Sequence, residues 1–176
     1  MKLRTTAAAA AILFVAGFGA GHAAKWRLTP AAYEGKAPNE AAQTLLDVAL
    51  GQAGKNGSWE RIGAGRVYYL GGHKAEGQKI FDALLNGKHE DSDIYRIARV
   101  YAEAGEWAKA KPLFDRFLKE NPGDAKGFAE VGAHYMLQGD RATAERMFAK
   151  AIATEDGDPW MTEHMAGAYL GVKPQE

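Results

Sequence analysis

The 176-residue chain contains no cysteine. Disulfides, a thiolate nucleophile, cysteine-ligated zinc, covalently attached haem and a lipid anchor on cysteine are therefore excluded. An excess of charge of one sign is lacking too, with 22 basic against 22 acidic residues. Nucleic acid is not an expected partner, because it requires a basic stripe that displaces counterions. Serine and threonine are sparse, and none, among them Ser58, Ser92, Thr143, Thr154 and Thr162, sits in a nucleophile motif with a base nearby. No glycine-rich phosphate cradle is present. Beyond the first 24 residues, the histidines are His73, His89, His134 and His164, and no two stand at a metal-ligand spacing on one helix. The acidic run Glu90-Asp91-Ser92-Asp93 has no glycine to organise a calcium loop. It reads as a helix-starting cap, where carboxylates favour the helix dipole. No catalytic residue, metal or cofactor is expected, and the chain does not read as an enzyme.

One long apolar run exists, and it opens the chain. Lys2 and Arg4 precede Ala7 to Ala20, and the small residues Gly21, Ala23 and Ala24 precede Lys25. That order is a signal peptide over 1–24, cleaved after Ala23 or Ala24. The alternative is an uncleaved anchor, since 20 uncharged residues just span a bilayer at ~1.5 Å per residue. Either way the body of the protein crosses a membrane, with a periplasm as destination or, for the anchor, a periplasmic domain held at the inner membrane. The leader is then the chain's one contact with a membrane.

Residues 25–39 carry Pro30, Gly35 and Pro38 without periodicity and read as an extended linker. In 40–56, Ala42, Leu45, Leu46, Ala49 and Leu50 share one helical face, and Gly54, Asn56 and Gly57 end it. From there the chain repeats itself. GRVYYLGG at Gly65–Gly72 returns 33 residues on as ARVYAEAG, again 34 residues on as GAHYMLQG, and in part as AGAYLG from Ala166. Each complete copy precedes a second helical run in which a small residue (Gly77, Ala110, Ala144) is followed four positions later by Phe81, Phe114 or Phe148. Small side chains at matched phases let paired helices approach to ~8–10 Å. Gly72, Gly105 and Gly139 fall where the first helix must stop, and Asp124, Asp158 and Pro159 where the next one starts.

These spacings resemble the 34-residue pattern of the tetratricopeptide repeat family. The middle copy supplies Ile94, Ile97-Ala98, Tyr101, Gly105, Ala110, Phe114, Phe117 and Pro122. The next supplies Phe128, Val131-Gly132, Tyr135, Gly139, Ala144, Phe148 and Ala151. Arg61 departs from the pattern in the first copy, and Pro112 interrupts a second helix, which it is expected to bend. The resemblance implies an all-α fold: a short right-handed α-solenoid of helical hairpins with capping helices at both ends. Its divisions are a cap at 40–56, repeats at 57–90, 91–124 and 125–158, a partial repeat at 159–171 and a tail at 172–176.

The resemblance also implies a concave face lined by one stripe of the first helices. The residues expected there as a peptide-binding groove are Trp59, Arg66, Tyr69, Tyr95, Arg99, Glu103, Met136 and Trp160. Aromatic, Arg and Met side chains together are what interfaces enrich. His134 reads as a packed histidine with its ring satisfied, and His164 as solvated. The expected role is a periplasmic scaffold that binds another protein or an extended peptide, in assembly of an envelope, secretion or polysaccharide-export system. The alternatives are a self-associating structural module or a non-catalytic subunit of an envelope enzyme complex. Intact mass from fractionated cells tests export: the mature chain starts at Ala24 or Lys25 and is released with the periplasm, whereas full-length protein confined to membranes selects the anchor.

Overall fold

In a computed structural model of the chain, residues 26–175 are described. The signal-peptide reading of 1–24 lies outside them. A one-turn 3-10 helix at Pro30–Ala32 precedes eight α-helices: α1 (Pro38–Ala53), α2 (Ser58–Leu70), α3 (Lys74–Leu85), α4 (Asp91–Glu103), α5 (Trp107–Glu120), α6 (Ala125–Leu137), α7 (Arg141–Thr154) and α8 (Pro159–Tyr169). No strand occurs among the described residues. Helix α2 pairs with α3, α4 with α5 and α6 with α7, while α8 packs on α6 and α1 lies on α2. The chain is thus an α-solenoid of tetratricopeptide-like hairpins.

Each hairpin is closed by one device. The ring edge of Phe81 stands 2.6 Å from where a Cβ on Gly65 would be, and that of Phe148 stands 2.7 Å from the same point on Gly132. Across the first crossing, a Cβ on Gly77 would lie 2.7 Å from the Gly65 carbonyl and 2.9 Å from the Tyr69 amide. Ala98, Ala110 and Ala144 occupy the equivalent places with no exposed surface. Phe81 and Phe114 are fully buried as a result, each contributing ~1.5–3 kcal/mol of apolar burial.

The corners follow from chemistry at single residues. Gly72, Gly105 and Gly139 take φ of 91°, 75° and 83°, a region in which a Cβ is disfavoured. The amides of His73, Glu106 and Asp140 then reach back to the carbonyls of Tyr68, Tyr101 and Tyr135, a Schellman closure that satisfies the last turn. Asp124, Asp140 and Asp158 cap the next helices through their carboxylates, and Glu90 with Asp93 forms a reciprocal capping box at α4. Helix α5 runs unbroken from Trp107 through Pro112 to Glu120.

Tyrosines clasp one hairpin to another. Gln78 of α3 donates to the Tyr101 hydroxyl of α4 at 2.7 Å. The Tyr135 hydroxyl of α6 donates to Asp115 of α5, and that of Tyr169 in α8 donates to Glu145 of α7 at 2.9 Å. In each pair, the first helix of one hairpin is tied to the second helix of the hairpin before. The segment read as an extended linker does not run free. It turns at Pro30–Ala32, and Pro38 already begins α1. The Gln52 amide donates to the Trp26 carbonyl at 2.8 Å, and the Trp26 indole fills the place of a Cβ on Gly51.

Overpacking the crossing tests this register. Gly132→Leu drives a side chain into Phe148, with an expected loss of ~1–3 kcal/mol or more. Thermal melts should show a clear drop for Gly132→Leu and little change for Gly123→Ala, where a Cβ meets open space.

Candidate functional site: a cationic groove on the first helices

Two residues of length decide where the C-terminal segment goes. Helices α2, α4 and α6 each run 13 residues, but α8 runs 11. At 3.6 residues per turn, two residues turn the exit direction by roughly 200°. Gly171, with φ of 76°, reverses the chain there, and the Val172 amide closes onto the Gly167 carbonyl at 2.8 Å. The Val172 side chain settles over Gly167, 3.5 Å from where a Cβ would project. Residues 171–174 then fold back onto the stack.

There they complete a groove of about 470 Å³. It is lined by Arg66 of α2; Arg99, Val100, Ala102 and Glu103 of α4; His134, Leu137 and Gln138 of α6; and Gly171, Lys173 and Pro174. Arg66 holds Glu103 in a two-pronged ion pair: Nε donates to Oε2 at 2.7 Å and a second guanidinium nitrogen donates to Oε1. Both side chains are about 40% exposed, so the pair is worth ~0–1 kcal/mol in stability. Its effect is to fix the guanidinium plane at the groove edge.

Of the eight residues expected in the groove, three line it: Arg66, Arg99 and Glu103. Tyr69 and Tyr95 belong to the core instead. Tyr69 is 1% exposed, packed on Phe81 and Tyr101, and its hydroxyl donates to Glu106 at 2.6 Å while accepting from Lys109 at 2.7 Å. Direct bonds from Lys109, Lys74 and Tyr69 hold the Glu106 carboxyl down at about 2. Tyr95 is 9% exposed, its ring against Phe114 and Phe117 with the Arg99 guanidinium 5.7 Å over it. One helical step is ~100°, enough to move a side chain from the concave face to the seam beside it. Met136 is half-buried against the core. Trp59 is exposed, with the Arg96 guanidinium 3.2 Å above its ring. Trp160 stacks on His164 at 3.8 Å, beneath Lys126. Neither tryptophan lines the groove.

Two histidines also differ from expectation. His164 is not solvated: it is 8% exposed, and its Nδ1 lies 2.7 Å from the Trp160 carbonyl. His134 is packed flat on Phe114 at 4.7 Å, yet its Nε2 has no partner. Sequence reasoning missed His134, Gln138, Lys173 and Pro174 as lining. The signal for the last two was the short phase between Tyr169 and Gly171, against four residues from Tyr to Gly in the other copies.

Electrostatically the groove is mixed above and neutral beneath. Burial pushes the His134 imidazole down to about 4, helped by the positive charges of Arg99 and Lys173 and by His164. Burial alone lifts the Glu130 carboxyl, one turn earlier on α6, to about 8. At neutral pH both are uncharged. Among the described residues, no cluster of three or more His, Asp or Glu is arranged to hold a metal ion, and no helix is long and apolar enough to cross a membrane.

The fold is a stack of helical hairpins. The tetratricopeptide repeat family model matches residues 94–124, which comprise most of α4, all of α5 and the Asn121–Asp124 turn. The other hairpins resemble the matched one, with similar residues at their crossings and corners. The chain is also 31% identical over 94 residues to cellulose synthase operon protein C of Pseudomonas fluorescens (strain SBW25), covering 51% of this chain and 7% of that protein. It therefore spans a small fraction of that relative's length. Repeats of this kind are typically non-catalytic and bind other proteins or peptides.

The pKa of Glu130 has a testable consequence. A carboxyl raised in the folded state favours folding while protonated in both states, and this advantage is lost as pH rises from about 4.5 towards about 8. Glu130→Gln removes the loss. Each unit is worth ~1.4 kcal/mol, so melting at pH 8 should rise by an amount equivalent to ~2–4 kcal/mol, with little change at pH 4.5. Equal effects at both pH values would refute the assignment.

Proposed function

We infer that the protein is an exported scaffold whose groove holds an extended, carboxylate-bearing segment of another protein. The observation that carries this is the convergence of Arg66, Arg99 and Lys173, from α2, α4 and the returning C-terminal segment, on one recess. Among the described lining residues the acidic one is Glu103, which faces Arg66. Arg binds carboxylates with a planar fork, which selects orientation as well as charge. Ordering an extended segment offsets much of the contact energy, so a short peptide should bind at micromolar strength. Residues that position a partner suffice for such a task; no proton transfer or nucleophile is required of them.

Two features support the setting. The basic, apolar and small residues of 1–24 follow one another in the order of an export signal. The relative named above is, by its name, a product of a cellulose synthase operon, which favours a place in assembly of a polysaccharide-exporting envelope system. A second reading, self-association, draws on α8. Its Tyr169 and Leu170, with Val172 beyond, are 52%, 81% and 56% exposed, whereas Tyr68, Tyr101 and Tyr135 are buried against their own second helices.

Charge reversal separates the readings. The double variant Arg66→Glu with Arg99→Glu should lower affinity for acidic peptides at least tenfold while the helical signal holds, and wild-type binding should weaken with added salt. Undiminished binding would move the interface off the groove. Sedimentation that shifts with concentration in both proteins would favour self-association.

A further inference from the structure

Helix α6 turns one stripe towards the hairpin before it, at steps of three and four residues: Gly127, Glu130 and His134. Gly127 meets Phe117, whose ring edge stands 2.7 Å from where a Cβ would be. His134 stacks on Phe114, with centroids 4.7 Å apart and planes at 23°. Tyr95 of α4 touches both of those rings, at 5.2 Å from Phe117 and 5.6 Å from Phe114. Glu130 lies between Gly127 and His134 on the stripe, so it faces the same aromatic group.

Two polar atoms of this seam thus lack a hydrogen-bond partner, and Glu130 stands on the same stripe. The Tyr95 hydroxyl and the His134 Nε2 are buried without a hydrogen-bond partner. Glu130 is 9% exposed, and its side chain makes no hydrogen bond or ion pair among the described residues. Other tyrosine hydroxyls of the stack, those of Tyr69, Tyr101, Tyr135 and Tyr169, all have partners, while Asp93 Oδ1 and His164 Nε2 are also buried without one. Buried polar groups in native proteins are nearly always paired, so several orphans in one seam call for a ligand or water that completes them. The seam adjoins the groove. His134 lines both, and Arg99 lines the groove while standing over the Tyr95 ring.

We propose that this seam receives an uncharged carboxamide side chain, Asn or Gln, from the same segment whose carboxylate the groove holds. The inference rests on that groove reading and adds to it a second recognition element. Charge selects among the candidates. A cationic side chain would have to pass Arg99 and Lys173 at the mouth. An apolar side chain would leave all three groups unpaired. A carboxamide offers two donors and a two-lone-pair acceptor. With Glu130 held protonated and His134 held neutral at pH 7, the phenol, the carboxyl and the imidazole can each take one of these bonds.

The test uses the purified protein and labelled ten-residue peptides that carry one fixed Glu, with Gln, Asn, Met, Leu, Lys or Glu placed at each other position in turn. Fluorescence polarisation at pH 7 should show Gln or Asn at one fixed offset from the Glu binding ~10-fold tighter than its isostere Met or Leu. Tyr95→Phe and Glu130→Met should each cut that preference to about threefold or less while leaving the dependence on the fixed Glu. Both variants remove an unpaired polar group, so each should melt at or above wild type. Acidic peptides that bind with no amide preference, or a preference that survives both variants, would overturn the seam as a site and leave the groove standing. The former result would mean that water fills the seam. Amide-selective binding that needs no Glu and persists in Arg66→Glu with Arg99→Glu would overturn the groove reading, and no binding by any peptide would overturn both.

Discussion

A phenyl ring pressed into the space of a missing side chain sets the geometry of this molecule. Phe81 over Gly65 and Phe148 over Gly132 fix how close two antiparallel helices come, and nothing larger than Ala is accommodated at the crossings of α4 with α5 or α6 with α7. Because the crossing is so close, the helices have one axial register, and that register places every other side chain. The glycine corners follow from it, since the chain has to reverse within three residues of the helix end. A looser crossing would permit sliding by a turn, and the tyrosine clasps between hairpins would then miss their carboxylates.

Those clasps explain why the hairpins stack with a defined curvature. Each ties a first helix to the second helix of the preceding unit, on the side away from the groove. A single hairpin cannot bury its own apolar face, so stacking is obligatory, and the tyrosine hydroxyl bonds hold neighbouring units together. At the amino-terminal end the grip is weaker. Helix α1 buries no residue fully, and it is held largely by half-buried leucines and by Asp47 against the Tyr68 hydroxyl. Burial and that carboxylate raise the Tyr68 phenol to about 12. A cap of this kind shields an apolar face without adding much core.

What could be read from the sequence was whatever the repeat enforces. The small residues at Gly65, Ala98 and Gly132, the positive-φ glycines and the aspartate caps each recur because backbone sterics allow few alternatives. The groove was half legible. Arg66, Arg99 and Glu103 share a helical phase that only the concave face can satisfy. Tyr69 and Tyr95 stand one step away, and whether such a residue turns outward or into the seam depends on the volume left by neighbours such as Phe114 and Phe117, which no one-dimensional pattern records. His164 was misjudged for the same reason: its counterparts Gly63 and Arg96 tolerate solvent, but beside it Trp160 supplies a carbonyl and a ring. The return of Lys173 hung on α8 being two residues short.

The distribution of satisfied and unsatisfied polar atoms then separates structure from function within one fold. On the clasp side every tyrosine hydroxyl is paired, in keeping with the cost of leaving a buried donor or acceptor alone, ~1–3 kcal/mol each. Between α4 and α6 that cost is incurred twice, at the Tyr95 hydroxyl and the His134 Nε2, at a junction where Phe or Leu would fit the aromatic surroundings and stabilise the stack. Selection for stability alone would have removed Glu130, whose carboxyl is held protonated far above its ordinary range with no partner to show for it. A polar seam kept at such cost, opening onto a recess where cations from three elements converge, is what a partner supplying the missing bonds would complete. In the proposed reading the junction is the complement of a bound segment: the free protein would carry the penalty, and binding would relieve it.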